Sequence, residues 1–109
     1  MKYVLVLDLI LKYKNISVKE LSIDSNISES YLYELVNNSK VNPTLDMLFQ
    51  ISYIIKENVK NFFYAVSEFE IIQKKMNNLI EEKGVNDSKV KYLSEVLDRL
   101  LLLKLKGSN

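Results

Sequence analysis

The stretch that most limits what this chain can fold into is Ser17-Val18-Lys19-Glu20-Leu21-Ser22-Ile23-Asp24-Ser25-Asn26-Ile27-Ser28, because it holds a helix start, a helix stop and a second start. Ser17 and Glu20 have capping-box spacing: the serine hydroxyl accepts from the amide three residues on, and the glutamate reaches back to the serine amide. Asn26 tolerates a left-handed backbone and ends that helix after two turns. Ser28 then caps another short helix, from about Glu29 to Asn37, whose Leu32 and Leu35 face inward. Two short helices separated by a tight turn need other helices to cover their apolar sides.

The rest of the chain supplies them. With two Gly and one Pro in 109 residues, loops are expected to be short. Val4, Leu7 and Leu11, with Leu5 and Leu9, recur at helical spacing and predict a first helix from Val4 to Tyr13, ended by Asn15. Asp8 interrupts that apolar run and no small-residue cleavage site follows, so the segment reads as a core helix and not as a signal peptide. The residues Asn37 to Pro43 are turn-formers, and Thr44 caps a fourth helix with Leu45, Leu48, Ile51, Ser52 and Ile55 on its inner stripe. Asn58 caps a fifth, burying Val59, Phe62 and Phe63. Because no Gly or Pro lies between Pro43 and Gly84, the fifth helix is expected to run on, straight or slightly bent near Ala65 to Glu68. Phe69, Ile72, Met76, Leu79 and Ile80 continue the seam to Gly84. A last helix, capped in the turn 85 to 88, carries Val90, Leu93, Leu97, Leu100 and Leu101. The expected fold is all-α, with a five-helix unit over 1–64 and an antiparallel two-helix hairpin over 68–106.

Composition excludes much chemistry. His, Cys and Trp are absent, which removes imidazole and thiolate metal sites, cysteine nucleophiles, Ser-His-Asp triads and disulfides. No metal and no cofactor is expected. No run approaches the ~20 apolar residues of a membrane span, so a soluble protein is expected, and the missing cysteines fit a reducing cytoplasm. Fifteen Lys+Arg against fourteen Asp+Glu give a net charge of +1, a weak balance for a chain that neutralises phosphate.

Residues 17 to 63 nevertheless resemble the lambda Cro and repressor family of helix-turn-helix domains. The marks are Glu20-Leu21 in the second helix, Ile27-Ser28 at the turn, Asn42-Pro43-Thr44-Leu45 after the third helix, and Phe62-Phe63 closing the fifth. The resemblance implies a five-helix DNA-binding unit whose third helix enters the major groove of a double-stranded operator. It assigns base reading to Glu29, Ser30 and Glu34, with Tyr33 and Asn37 beside them. It also implies that the amino terminus of the second helix meets phosphate, with Ser28 at the turn and Lys19 and Lys40 adding charge. Val18, Ser22, Asn26 and Val36 stand where the family usually has a polar phosphate contact, a small Ala, a turn Gly and a buried Glu. Residues 1 to 64 hold seven lysines and seven carboxylates, so affinity per unit is expected to be modest and a dimer to be needed for a second half-site. The alternative is a helix-turn-helix kept as a protein-binding scaffold.

Residues 71 to 104 are similar to the two-helix aspartyl-phosphate phosphatases that act on the master sporulation response regulator of endospore-forming bacteria. Their Ser-Gln-Glu-Leu-Asp signature stands here as Ser94-Glu95-Val96-Leu97-Asp98, together with a Glu-Lys-Gly-Val turn at 82 to 85. That resemblance makes Ser94, Glu95 and Asp98 the candidate catalytic residues. The other reading of the hairpin is dimerisation. Tyr92, Val96, Leu102 and Leu103 form a second apolar stripe that one partner helix cannot cover, so a homodimer interface is expected at Val96, Leu97, Leu100, Leu101 and Leu103. The leading expectation is a dimeric transcription regulator or repressor. The alternatives are a phosphatase or regulator of a sporulation response regulator, and a hairpin that docks a response regulator or small antirepressor to control the DNA-binding half.

Overall fold

Side-chain caps decide where most of the helices begin. In the computed structural model, which describes residues 3–37 and 42–106, α1 spans Leu7–Lys14, α2 Val18–Ser25, α3 Glu29–Val36 and α4 Leu45–Ile55. The capping box of α2 is formed: the Glu20 amide donates to Ser17 Oγ at 3.0 Å, and the Ser17 amide to Glu20 Oε1 at 3.4 Å. Ser28 Oγ accepts from the Tyr31 amide at 3.2 Å, and Thr44 Oγ1 from the Met47 amide at 3.1 Å. Each cap satisfies an amide that the helix itself cannot.

Three helices end in left-handed residues that are not glycine: Asn15 after α1, Asn26 after α2 and Lys56 after α4, with φ of 60°, 60° and 57°. Asparagine visits this region readily, but a lysine Cβ crowds the following carbonyl. Surrounding contacts hold Lys56 there. Lys14 Nζ donates to its carbonyl at 3.4 Å and pairs with Glu57 at 3.2 Å, while Ser52 Oγ donates to the Glu57 carbonyl.

These helices belong to a compact unit, Leu5–Phe63. α2 packs on α3 and α4, and Leu7, Leu21, Leu32, Leu35 and Ile51 are fully buried. The expected fifth helix is a single 3-10 turn, Val59–Phe62, started by Asn58, whose side chain accepts from the Lys60 amide. It packs on α4 and buries Phe62, whose carbonyl accepts from the Val6 amide at 2.8 Å.

The all-α expectation is corrected by two short strands, β1 (Tyr3–Leu5) and β2 (Phe63–Ala65), which pair in a two-stranded sheet. The chain is mostly helical, and its first helix starts at Leu7 and not at Val4. Val4-Leu5-Val6-Leu7 fits both a helical and an extended pattern, and Tyr, Val and Phe favour the strand once a partner exists. Nor does the fifth helix run on. β2 and a second 3-10 turn, Val66–Glu68, replace the expected continuous helix. The Glu68 carboxylate accepts from the Ala65 amide at 2.8 Å, which restarts the backbone without Gly or Pro.

The second unit comprises the residues up to Val4 and those from Tyr64 on. Its long helices are α5 (Phe69–Lys83) and α6 (Ser88–Lys106). Gly84, at φ 85°, stops α5, and Asp87 Oδ2 accepts from the Lys89 amide at the start of α6. α5 packs on α6, and Lys104 Nζ lies 5.4 Å from the centre of the Phe69 ring. The Val66–Glu68 turn packs on both helices. Val90, Tyr92, Leu93, Val96, Leu97 and Leu100 are therefore all buried within one chain. A single chain buries the first stripe and, of the second, Tyr92 and Val96, so Val96, Leu97 and Leu100 have little free surface to offer a second copy. The apolar surface left on α6 is at Leu101, Leu102 and Leu105, with Leu103 half-buried. α4 leaves another at Leu45, Phe49 and Tyr53. Among the described residues no helix is long and apolar enough to cross a membrane.

The left-handed lysine gives a direct check. Lys56→Gly removes the Cβ crowding and is expected to stabilise the chain by about 1 kcal/mol, read from the urea midpoint. A lower midpoint would mean that the backbone freedom glycine adds to the unfolded chain outweighs the strain relieved at this corner.

Candidate nucleic-acid interface

The turn between α2 and α3 sets the two helices against each other. Asn26 turns the chain at φ 60°, ψ 24°, and its amide donates to the Ser22 carbonyl at 3.0 Å. Ser22 Oγ donates to the Ile27 carbonyl at 2.6 Å, and the Ile27 amide donates to Ser25 Oγ at 3.2 Å. Ser25 is itself buried, and its carbonyl accepts from the Gln50 side chain of α4. Among the described residues no buried side-chain polar atom is left without a partner, as burial requires. Ser22 and Asn26, two of the departures from the usual pattern, form this clasp: the asparagine takes the left-handed role of glycine, and the serine hydroxyl closes the turn. Sequence reasoning missed Ser25 and Gln50. Both side chains bond backbone groups, Ser25 the amide two residues on and Gln50 a carbonyl that comes near only through tertiary packing.

α3 buries Leu32, Leu35 and Val36. Its opposite side exposes Glu29, Ser30, Tyr33, Glu34 and, just past the helix, Asn37. At spacings of four, these positions form one continuous stripe along the helix. The structure therefore brings together the six expected residues from Ser28 to Asn37, with Ser28 exposed at the cap. Tyr33 shows about half its surface, 48%, whereas Tyr31 is more covered. Lys19 is exposed in the first turn of α2, beside the cap. Lys40 lies outside the described residues.

The stripe presents carboxylates, hydroxyls and an amide, and α3 contains no lysine or arginine. Glu29 and Glu34 have no hydrogen-bond or ion-pair partner among the described residues. They differ in position: Glu29 is in the first turn, where the positive end of the helix dipole favours it, and Glu34 is in the last, where the negative end does not. Glu20 is committed to the α2 cap.

On α6, Ser94 and Asp98 are exposed one turn apart, and Glu95 between them is half-buried. Val96 and Leu97 are core. The polar-polar-apolar-apolar-polar order of residues 94 to 98 is thus the pattern of an ordinary amphipathic helix at this point. Among the described residues no three Asp or Glu side chains are placed to hold a metal ion.

The model of the Cro/C1-type HTH DNA-binding domain family matches residues 6–66, more than half of the chain and the whole run from α1 through β2. No curated protein and no solved structure matches the chain. The exposed stripe has little structural work, so Tyr33→Ala is expected to change stability by less than about 0.5 kcal/mol. Glu34→Ala is expected to raise it by about 0.3 kcal/mol, through removal of charge at the wrong end of the dipole. Urea denaturation of both variants checks this. A loss above about 1 kcal/mol for either would show a packing role and remove that residue from the reading surface.

Proposed function

The chain belongs to the Cro/C1-type helix-turn-helix DNA-binding family, and on that premise we propose that it is a transcription regulator that reads an operator with α3 and works as a homodimer. The observation that carries this reading is the exposed stripe Glu29, Ser30, Tyr33, Glu34 and Asn37, set on a helix whose entry is fixed by the α2–α3 clasp. Placed in the major groove, the stripe faces base edges. The amino terminus of α2, with Lys19 beside it, faces phosphate, where amides and the dipole attract an anion even with few cations. Occupancy of an operator that overlaps a promoter gives repression. Such a regulator acts where the chromosome is, in the cytoplasm.

Few cations mean a shallow dependence on salt. If Lys19 and Lys40 are the phosphate-neutralising groups of each subunit, a dimer has a log-log slope of about −4. Fluorescence anisotropy on the protein's own upstream DNA between low and moderate salt measures it. No sequence-selective binding at low salt would overturn the proposal.

Dimerisation is assigned to the end of α6. Leu101, Leu102 and Leu105 are exposed together over its last turns, and covering a leucine contributes about 1.5–3 kcal/mol. Pairing two copies there supplies a two-fold axis for a palindromic operator. Val96, Leu97 and Leu100 act behind this surface by holding α6 in place. Ser94, Glu95 and Asp98 are read as the solvated side of the same helix, and the contribution of α5 and α6 as assembly. Sedimentation equilibrium tests the assignment: Leu102→Glu with Leu105→Glu is expected to give a monomer that binds operator at least tenfold more weakly. A variant that still dimerises like wild type moves the interface elsewhere, with Leu45, Phe49 and Tyr53 as the next surface to mutate.

A further inference from the structure

Of the two carboxylates on the exposed face of α3, only Glu29 has a reason to be there that folding explains. Glu34 sits in the last turn, at the negative end of the helix, with no basic residue in that turn and no partner among the described residues. Folding gains nothing from it, and phosphate attraction is opposed by it. What an exposed carboxylate can do on a base-facing surface is accept hydrogen bonds.

The major groove offers two kinds of donor to such a group, the N4 amino of cytosine and the N6 amino of adenine. Guanine presents N7 and O6 and thymine presents O4, all acceptors, which leave a carboxylate unpaired and repelled. Adenine carries its N7 acceptor beside the amino group, whereas cytosine has only the donor on that edge. Cytosine is therefore the better match. The rest of the stripe agrees with this: without Arg or Lys, α3 lacks the commonest guanine reader, and Asn37 suits adenine.

On the reading of α3 as the base-contacting helix, we infer that Glu34 is a specificity-determining residue that selects cytosine at one position of each operator half-site and rejects guanine and thymine there. Its negative charge gives up general affinity for phosphate in return for that discrimination.

The test is selection of binding sites by the full-length protein from randomised duplex DNA. Anisotropy titrations then follow on duplexes carrying each of the four base pairs at every selected position. Wild type is expected to prefer cytosine at one position by about 5- to 100-fold. Glu34→Ala should flatten that position and no other, Glu34→Gln should move it toward adenine, and Glu34→Lys should move it toward guanine with a steeper salt slope. Circular dichroism confirms that each variant is folded. Selective DNA binding in which Glu34→Ala changes no position, or in which the position it changes prefers guanine or thymine in wild type, overturns the inference and leaves the proposed function standing. Absence of selective binding by wild type overturns both.

Discussion

The part of the chain that carries the family's fold depends on a turn closed without glycine. Asn26 accepts the left-handed backbone, the Ser22 hydroxyl fastens the far side of the turn to the Ile27 carbonyl, and Gln50 reaches from α4 to the Ser25 carbonyl. Without the Ser22 hydroxyl or the Gln50 amide, a part-buried carbonyl would lose its partner, at a cost comparable to that of a helix cap. Because the clasp involves three elements at once, the angle at which α3 leaves α2 does not rest on α3's own weak preference for helix. A two-turn helix is marginal alone. Here it is positioned from outside, which leaves its exposed face free of structural duties.

Electrostatics follow from that freedom. A near-neutral unit cannot bind DNA by bulk attraction, so whatever affinity it has must come from oriented amides, a few placed lysines and matched base edges. If α3 reads bases as proposed, its two acidic residues weaken non-specific association more than specific association, since only the correct sequence offers donors to them. On that reading, low net charge and selectivity are two sides of one arrangement.

Local signals were legible in the sequence and tertiary ones were not. Ser17, Ser28, Thr44, Asn58, Asn15 and Asn26 mark helix boundaries that the structure keeps, because capping and left-handed tolerance are properties of one residue and its immediate neighbours. The run Val4 to Leu7 and the segment Phe63 to Glu68 misled. In both, apolar and aromatic residues fit two periodicities, and the choice is made by a strand partner far along the chain. In the second stripe of α6, Tyr92 and Val96 are covered and Leu102 is not, a difference with no local mark because α6 also packs on the Val66–Glu68 turn, where the spacing predicts helix. The face of α3 was legible because helical spacing alone sorts Leu32 and Leu35 from Tyr33 and Glu34. The partners of Ser25 and Gln50 are main-chain groups, for which sequence carries no mark.

The small sheet bears on the order in which the fold assembles. α1 to α4 are each built from hydrogen bonds close in sequence, which form quickly. β1 and β2 close a loop of about 60 residues for three residues of pairing on each strand, an entropic cost that the few hydrogen bonds of the sheet cannot meet by themselves. The sheet must therefore wait for Phe62 to settle into its buried place and present its carbonyl to Val6. Tyr3–Leu5 are therefore among the last residues to take up their final conformation.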